Sequence, residues 1–392
     1  MKVYIGLNGE GLGHYARAAA LYQEAVDRGH QPILATYGVA YEKARHEGFD
    51  VIRVPPEVSM TGTRGRFDLL ATMRSSLSLP LRLIRSVRYE KRMIRGFDVV
   101  VSDCRFSTAL SGHLMDKPVF LMSNQTTAEI PVDYLPGVRG FRDRVSMRIL
   151  LYLMELTSRS QYKYVDEILI GDLKPPYTIS LPILSRDPKV KKKTVITGPI
   201  NRLVYKRYKP LWPERRNERK PKLFITVGGQ AYRLGLVPHI LSTVKRMDAT
   251  IVYSHFTVKH PETEGNIHLI PFSEKSYGYM SASDIIIQPA GHSGIMESIL
   301  LGKPCLLIPD DMQPEQLSNA RRYSELGFGE YITHNQLHDS KLFIEKLNRM
   351  LDHIDYYRKR LSQVSRTFGS VNNGPRNALD RIEDLYHRMY DW

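Results

Sequence analysis

The chain has 392 residues with 56 Lys and Arg against 41 Asp and Glu, a net charge of +15, and is 42% hydrophobic and 25% charged. That balance excludes a disordered chain and suits a globular protein long enough for two cores. No apolar run approaches the roughly 18–20 residues that span a bilayer, and the basic excess suits an anionic partner.

The first strand-like run, "KVYIGL", begins at Lys2, so no signal peptide is expected. It leads into "GLNGEGLGH". A dinucleotide-binding loop would carry a third glycine where His14 stands, and the next strand, "QPILATY", ends without an acidic residue for a ribose 2′-hydroxyl. An NAD-dependent oxidoreductase is therefore disfavoured. A helix is expected from Tyr15 to Arg28, stopped by Gly29. Further strands are expected at "FDVIRVP", "DVVVSD", "PVFLMSN" and "DEILIG", separated by segments of helical period. Cys104 and Cys305 lie far apart, each in or beside such a run, and read as packing residues of a reduced, cytoplasmic protein.

Between Arg64 and Arg95 there are 9 basic and 2 acidic residues. Within "SLPLRLIRSVRYEKRMIRG", Leu83, Ile84, Val87 and Ile94 share one helical face, and Arg82, Arg85, Arg88, Arg92 and Arg95 another. A second helix sets the stripe Phe141, Val145, Ile149, Tyr152, Leu156 beside Arg142, Arg144 and Arg148. Basic amphipathic surfaces of this kind dock on anionic membranes and reach lipid-linked molecules; the simpler reading is helices packed on the first sheet with charged outer faces.

From Arg186 to Lys222 the count is 14 basic to 3 acidic, ending in the Pro-rich "RYKPLWPERRNERKPK". The strand–helix rhythm then restarts with "KLFITVGG", "ATIVYSH", "IHLIP", "DIIIQPA" and "PCLLIP". Apolar strands without strict alternation, in two sets, predict an α/β protein of two Rossmann-like domains with parallel sheets. The expected division is an N-terminal domain at 1–205, a basic linker at 206–221, a C-terminal domain at 222–368 and a final helix at 369–392. That helix carries Leu379, Ile382, Leu385, Tyr386 and Met389 on one stripe, suited to crossing back to the N-terminal domain.

The densest signal is "SASDIIIQPAGHSGIMESILLGKPCLLIPDDMQPEQLSNARRYSELGFGE". A strand ends at Pro289, and the turn Gly291, His292, Ser293, Gly294 opens a helix carrying Glu297. Glycines there let backbone N–H groups approach a phosphate, and the helix N-terminus favours its charge. Glu297 could accept both hydroxyls of a ribose, and Asp310, Asp311, Glu315 and Gln316 suit sugar hydroxyls. At these residues the chain resembles GT-B glycosyltransferases that use UDP-sugars, especially the MurG-type and UDP-glucuronosyltransferase-like families. The resemblance covers nearly the whole chain. It implies two domains facing across a cleft, with Glu297 on the ribose, Glu315 and Gln316 on the donor sugar, and Gly291 to Gly294 on the pyrophosphate. Phe272 would lie beside the base, and Gly228 and Gly229 would form the second phosphate-side loop. Many such enzymes carry a histidine where this chain has Pro289.

Transfer to a hydroxyl needs a base with a pKa near neutral, which suits His14 at the end of the opening loop. Asp103 ends a strand at a carboxyl edge and could orient that imidazole; the alternatives are a helix-turn histidine without chemistry and an N-capping aspartate. The resemblance supports the pair, because inverting UDP-glycosyltransferases use a histidine and an aspartate at matching positions. Glu10 is a rival base, and Gly11, Gly13, Asn124 and Gln125 would line the acceptor side. No Asp-x-Asp motif and no His/Cys cluster with ligand spacing is present, so a metal-independent transfer without a cofactor is expected, with inversion implied by the resemblance alone. The expected partners are a UDP-sugar, a lipid-linked or membrane acceptor and an anionic membrane surface, with no nucleic acid. The rivals are a UDP-sugar epimerase on the same architecture and, behind it, a basic nucleic-acid binder, for which no accompanying motif is present.

Overall fold

Strands take up the Val- and Ile-rich runs. In chain order they are β1 (Lys2–Leu7), β2 (Gln31–Thr36), β3 (Val51–Arg53), the hairpin β4 (Gly62–Thr63) and β5 (Arg66–Phe67), β6 (Val99–Asp103), β7 (Val119–Ser123), β8 (Glu167–Ile170) and β9 (Thr194–Ile196). The second half holds β10 (Lys222–Ile225), β11 (Thr250–His255), β12 (Glu262–Glu264), β13 (Ile267–Pro271), β14 (Ile285–Pro289), β15 (Cys305–Ile308) and β16 (Gly329–Tyr331). This computed structural model describes residues 1–57, 62–63, 66–67, 78–127, 135–138, 140–213, 220–229, 231–368 and 373–390. Arg64, which opens one basic run, and residues 214–219 of the other lie outside the described residues.

Two seven-stranded sheets result, ordered β3-β2-β1-β6-β7-β8-β9 and β12-β13-β11-β10-β14-β15-β16. Every pairing within them is parallel except β12 with β13. Central strands such as β6 and β7 are buried along their full length, because helices cover both faces and no residue has a wet side to turn to. Strand order reverses between β1 and β6 in one sheet and between β10 and β14 in the other. Such switch points open a crevice at the carboxyl ends of the strands, where neighbouring loops part in opposite directions.

The helix Gly374–Tyr390 returns to the first domain: Ala378, Leu379 and Ile382 are buried in one cluster with Tyr15, Ala18 and Leu21. Its Glu383 pairs with Arg28 and His30 at 2.7 Å each. Helix Leu79–Ile94 departs from its predicted faces. Ser86, Glu90 and Ile94 are buried, while Ile84 stands exposed. The reason is electrostatic: Glu90 accepts from Arg105 at 2.8 Å, Ser107 at 2.6 Å and Thr108 at 2.5 Å, an ion pair reinforced by two hydroxyls that turns this face inward.

Candidate active site

Leu7 at the end of β1 stands in register with Asp103 at the end of β6. Gly11 then takes φ +84, the left-handed region that glycine enters without strain, and a helix starts at once, Leu12–Asp27. The start is earlier than the period predicts. It places His14 in the first helical turn, where the sequence suggested the end of a loop.

His14 Nδ1–H donates to Asp103 Oδ1 at 2.8 Å. Arg17, one turn further on the same helix face, grips both oxygens of that carboxylate, Nε to Oδ2 at 3.0 Å and Nη2 to Oδ1 at 2.6 Å. Asp103 is fully buried and caps no helix, since Arg105 holds the N-cap position of the helix that follows. Burial raises its carboxyl, but Arg17 and His14 outweigh that and hold it below the usual carboxylate range. At His14 burial works against the imidazolium, yet the Asp103 carboxylate pushes the ring up to about 10. With Nδ1 committed, Nε2 is the nitrogen left for a substrate. Arg17 Nη1 donates to Asn124 Oδ1 at 2.7 Å and reaches Ser293 Oγ of the other domain at 3.4 Å.

Cys104 does not pack as the sequence suggested. It is exposed, at φ +53, one residue past the strand where the chain turns. Its sulfur and ligand atoms of His14 and Asp103 lie within 4.8 Å of one another, a grouping that spacing does not reveal. Both Asp103 oxygens are already engaged by Arg17 and His14, so the group is a hydrogen-bonded pair flanked by a thiol. Cys305 is buried as expected.

On the other wall β14 ends at Pro289 and Gly291 precedes the helix His292–Leu300. Glu297 Oε1 accepts from the Tyr277 hydroxyl at 2.9 Å and from Asn201 Nδ2 at 3.2 Å, which leaves Oε2 as an acceptor for a ligand. Burial pushes its carboxyl up, against the lowering effect of those two donors. Phe272 follows β13, its N–H bonded to the His255 carbonyl at 3.2 Å. The backbone at Gly229 comes so close to the first domain that a Cβ there would stand 3.4 Å from Leu12 N.

Four donor-side residues behave differently from a plain reading of the motif. The His292 ring is buried, with Nε2 3.1 Å from Asp172 Oδ2, so the residue contributes its place in the first helical turn to the cleft and keeps its imidazole inside. The Gln316 amide accepts from Asp310 N at 3.2 Å and donates to Gln313, although it lines the cleft with Glu315. Asp310 and Asp311, expected to meet sugar hydroxyls, do not line it. Asp311 accepts from His334 N and Asn335 N at 3.0 and 3.1 Å, and Asp310 from Met312 N at 2.9 Å.

One continuous cleft of about 340 Å³ joins the two walls. From the first half it is lined by Glu10, Gly11, Gly13, His14, Asn124 and Gln125, and from the second by Gly228, Gly229, Phe272, the turn from Gly291 to Gly294, Glu297, Glu315 and Gln316. The sequence reading missed Arg17, Asn201, Arg233 and Tyr277. The i, i+3 spacing of His14 and Arg17 could have flagged the first, once the helix was known to start at Leu12. Asn201 and Tyr277 carry no local signal, because they meet Glu297 only after two distant segments fold together. A proton acceptor, a free carboxylate oxygen, an aromatic ring and two glycine turns thus face one space, which suits transfer of a group from a nucleoside diphosphate.

The chain is similar to known glycosyltransferases. The family described as Glycosyltransferase family 28 C-terminal domain matches residues 245–372, and that described as Glycosyl transferase family 1 matches residues 1–151. An uncharacterized glycosyltransferase of Methanosarcina acetivorans is 29% identical over 392 residues, covering 98% of each chain. The UDP-N-acetylglucosamine–N-acetylmuramyl-(pentapeptide) pyrophosphoryl-undecaprenol N-acetylglucosamine transferase of Clostridium tetani is 27% identical over 183 residues, 43% of this chain and 48% of that one. Among solved structures, Acinetobacter baumannii MurG matches over 98% of this chain and 100% of its own, with a TM-score of 0.58 at 15% identity.

Proposed function

This chain is a glycosyltransferase of the GT-B fold, and from that premise we propose that it moves a sugar from a UDP-sugar to a hydroxyl or phosphate of a lipid-linked acceptor. The observation that carries the reading is the position of the His14–Asp103 pair and Glu297 on opposite walls of one cleft. Phe272 would pack on the base, Glu297 Oε2 would accept from the ribose, and the first turn of helix His292–Leu300 would face the diphosphate. His14 Nε2 takes the acceptor proton as the acceptor oxygen bonds to the anomeric carbon. The bond from that carbon to the β-phosphate oxygen breaks, its electron pair leaves with UDP, and a direct displacement of this kind inverts the anomeric centre.

The lipid-linked part of the reading rests on helix Phe141–Gln161. Its buried side, Met147 and Leu151, packs with Leu317 near the cleft, while the stripe Phe141, Val145, Ile149, Tyr152 and Leu156 is exposed. Phe141 is 83% and Tyr152 68% exposed, beside Arg142, Arg144 and Arg148. An apolar strip with flanking cations suits an anionic bilayer. The Clostridium tetani relative is named for a pyrophosphoryl-undecaprenol acceptor, the same chemical kind of molecule. Among the described residues no helix is long and apolar enough to cross a membrane. The docking proposed is peripheral, on the cytoplasmic face of the membrane.

The test is a UDP-release screen over UDP-sugars with polyprenyl-phosphate and glycolipid acceptors. Release that depends on an acceptor supports transfer. Interconversion of the sugar with no acceptor present would instead establish an epimerase. Glu297→Gln is expected to weaken UDP binding about 10-fold or more, the scale of a lost hydrogen bond to a charged group. Unchanged UDP affinity in titration calorimetry would remove Glu297 from the nucleotide site.

A further inference from the structure

Two arginines of the first half are withdrawn from water, and they hold their partners in different places. Arg105, 1% exposed, donates to Glu90 at 2.8 Å and to the Pro55 carbonyl at 2.7 Å, and neither partner lines the cleft. Arg17, 3% exposed, lines the cleft itself, and so do His14, Asn124 and Ser293, which its guanidinium touches. A buried cation is costly unless oxygens surround it, and here the oxygens belong to the acceptor wall.

Arg17 stands over three neighbouring strand ends. β1 leads through Gly11 into its helix, β6 ends at Asp103, and Asn124 follows β7, the next strand in the sheet. Nε and Nη2 take the two oxygens of Asp103, and Nη1 takes Asn124 Oδ1 at 2.7 Å. A guanidinium only donates, so the Asn124 amide must turn its oxygen to Arg17, which leaves Nδ2 for the cleft. Beside that charge Asp103 stays ionised, below the usual carboxylate range. An ionised carboxylate only accepts, so His14 Nδ1 carries a proton and the neutral ring keeps its lone pair on Nε2. Arg17 Nη2 also stands 3.0 Å from that Nδ1. Without the carboxylate it would donate there and drive the proton to Nε2, the tautomer that cannot serve as base. The remaining groups that bear on Arg17 are the Cys104 thiol and, from helix Pro314–Glu325 of the other half, Glu315.

We propose that Arg17 is a positioning residue for the transfer, a single guanidinium that sets the tautomer of His14 through Asp103 and the direction of the Asn124 amide. It acts through those side chains and takes no proton itself. This rests on the transfer reading above. The planar fork is what the task needs, since three nitrogens in one rigid plane hold two side chains at once.

Arg17→Lys keeps the charge and loses the fork. It is expected to lower kcat about 10- to 100-fold and to leave UDP affinity within about 2-fold in titration calorimetry. In an Asp103→Asn background the same substitution should cost less than about 3-fold, because the carboxylate through which Arg17 acts is gone. Should Arg17→Lys fail to fold, the Arg17→Gln, Asp103→Asn double variant leaves neither charge of the pair buried, and its kcat should match that of Asp103→Asn alone. Proton NMR of the free protein gives a reading that needs no substrate. The low-field Nδ1–H signal of the His14–Asp103 pair, assigned by its loss in His14→Ala, should shift or vanish in Arg17→Lys. An unchanged kcat, an unmoved signal, or a fully additive loss in the Asp103→Asn background each overturns the proposal. A wild-type chain that transfers no sugar overturns the transfer reading, and the NMR comparison then still decides whether Arg17 sets the tautomer.

Discussion

His14 sits in the first turn of a helix with a buried carboxylate at its Nδ1, and that contact sets how it titrates. Because Asp103 pushes the ring up to about 10, the base form grows as pH rises above neutrality, so kcat/KM for transfer should climb from pH 7 toward 10. Asp103→Asn removes the charge and should bring that limb down toward the ordinary 6.5, while lowering the plateau. A limb that stays in place would separate Asp103 from the titration. The same shift acts on stability. A histidine whose folded pKa lies above its unfolded one stabilises the fold fully below 6.5, and that contribution is lost as pH rises through about 10. His14→Ala should flatten this slope in urea titrations, leave UDP affinity unchanged, and cut kcat about 10²- to 10⁴-fold. Pairing of His14 with Asp103 was legible because Asp103 ends β6 and His14 follows the loop that leaves the neighbouring β1 at the same sheet edge. Arg17, which holds the carboxylate from behind, was not, since a single arginine in a helix looks like any solvated one.

Helices Leu79–Ile94 and Phe141–Gln161 look alike as sequences and end up different. In the first, the ion pair of Glu90 with Arg105 decides which face turns inward, and a hydrophobic count misses it because the buried residue is charged. In the second, the apolar stripe read from the sequence is the exposed face, and a narrower set of Met147, Leu151 and Glu155 packs inward. Removing exposed apolar side chains should cost the fold little and cost membrane docking much. A Phe141→Ser, Tyr152→Ser double variant is expected to lose about 10-fold or more in co-sedimentation with anionic liposomes, with its melting temperature and UDP affinity retained. Liposome binding equal to that of wild type would place the docking surface elsewhere.

At the scale of the whole molecule, the last helix ties the chain's end to its beginning. Leu379 is fully buried among residues of helix Leu12–Asp27, the helix that carries His14 and Arg17. Leu379→Ala should therefore destabilise the first domain by about 2–5 kcal/mol, read as a lower urea midpoint. A change below about 0.5 kcal/mol would mean that the crossing contributes nothing to that domain. The sequence by itself determined the two parallel sheets and most of their strands, leaving the short edge strands β9, β12 and β16 unread, together with the glycine turns and the suitability of the final helix for crossing back, because burial on both faces and glycine conformations are written into local residue choice. It also nominated His14, Asp103 and Glu297, whose positions follow from strand ends and helix starts. Only the tertiary structure decided which charges meet. Arg17 with Asp103, Glu90 with Arg105, and Asn201 and Tyr277 on Glu297 all depend on segments apart in the chain. A side chain's partner across space leaves no period in the sequence, and in this cleft the partners set the chemistry.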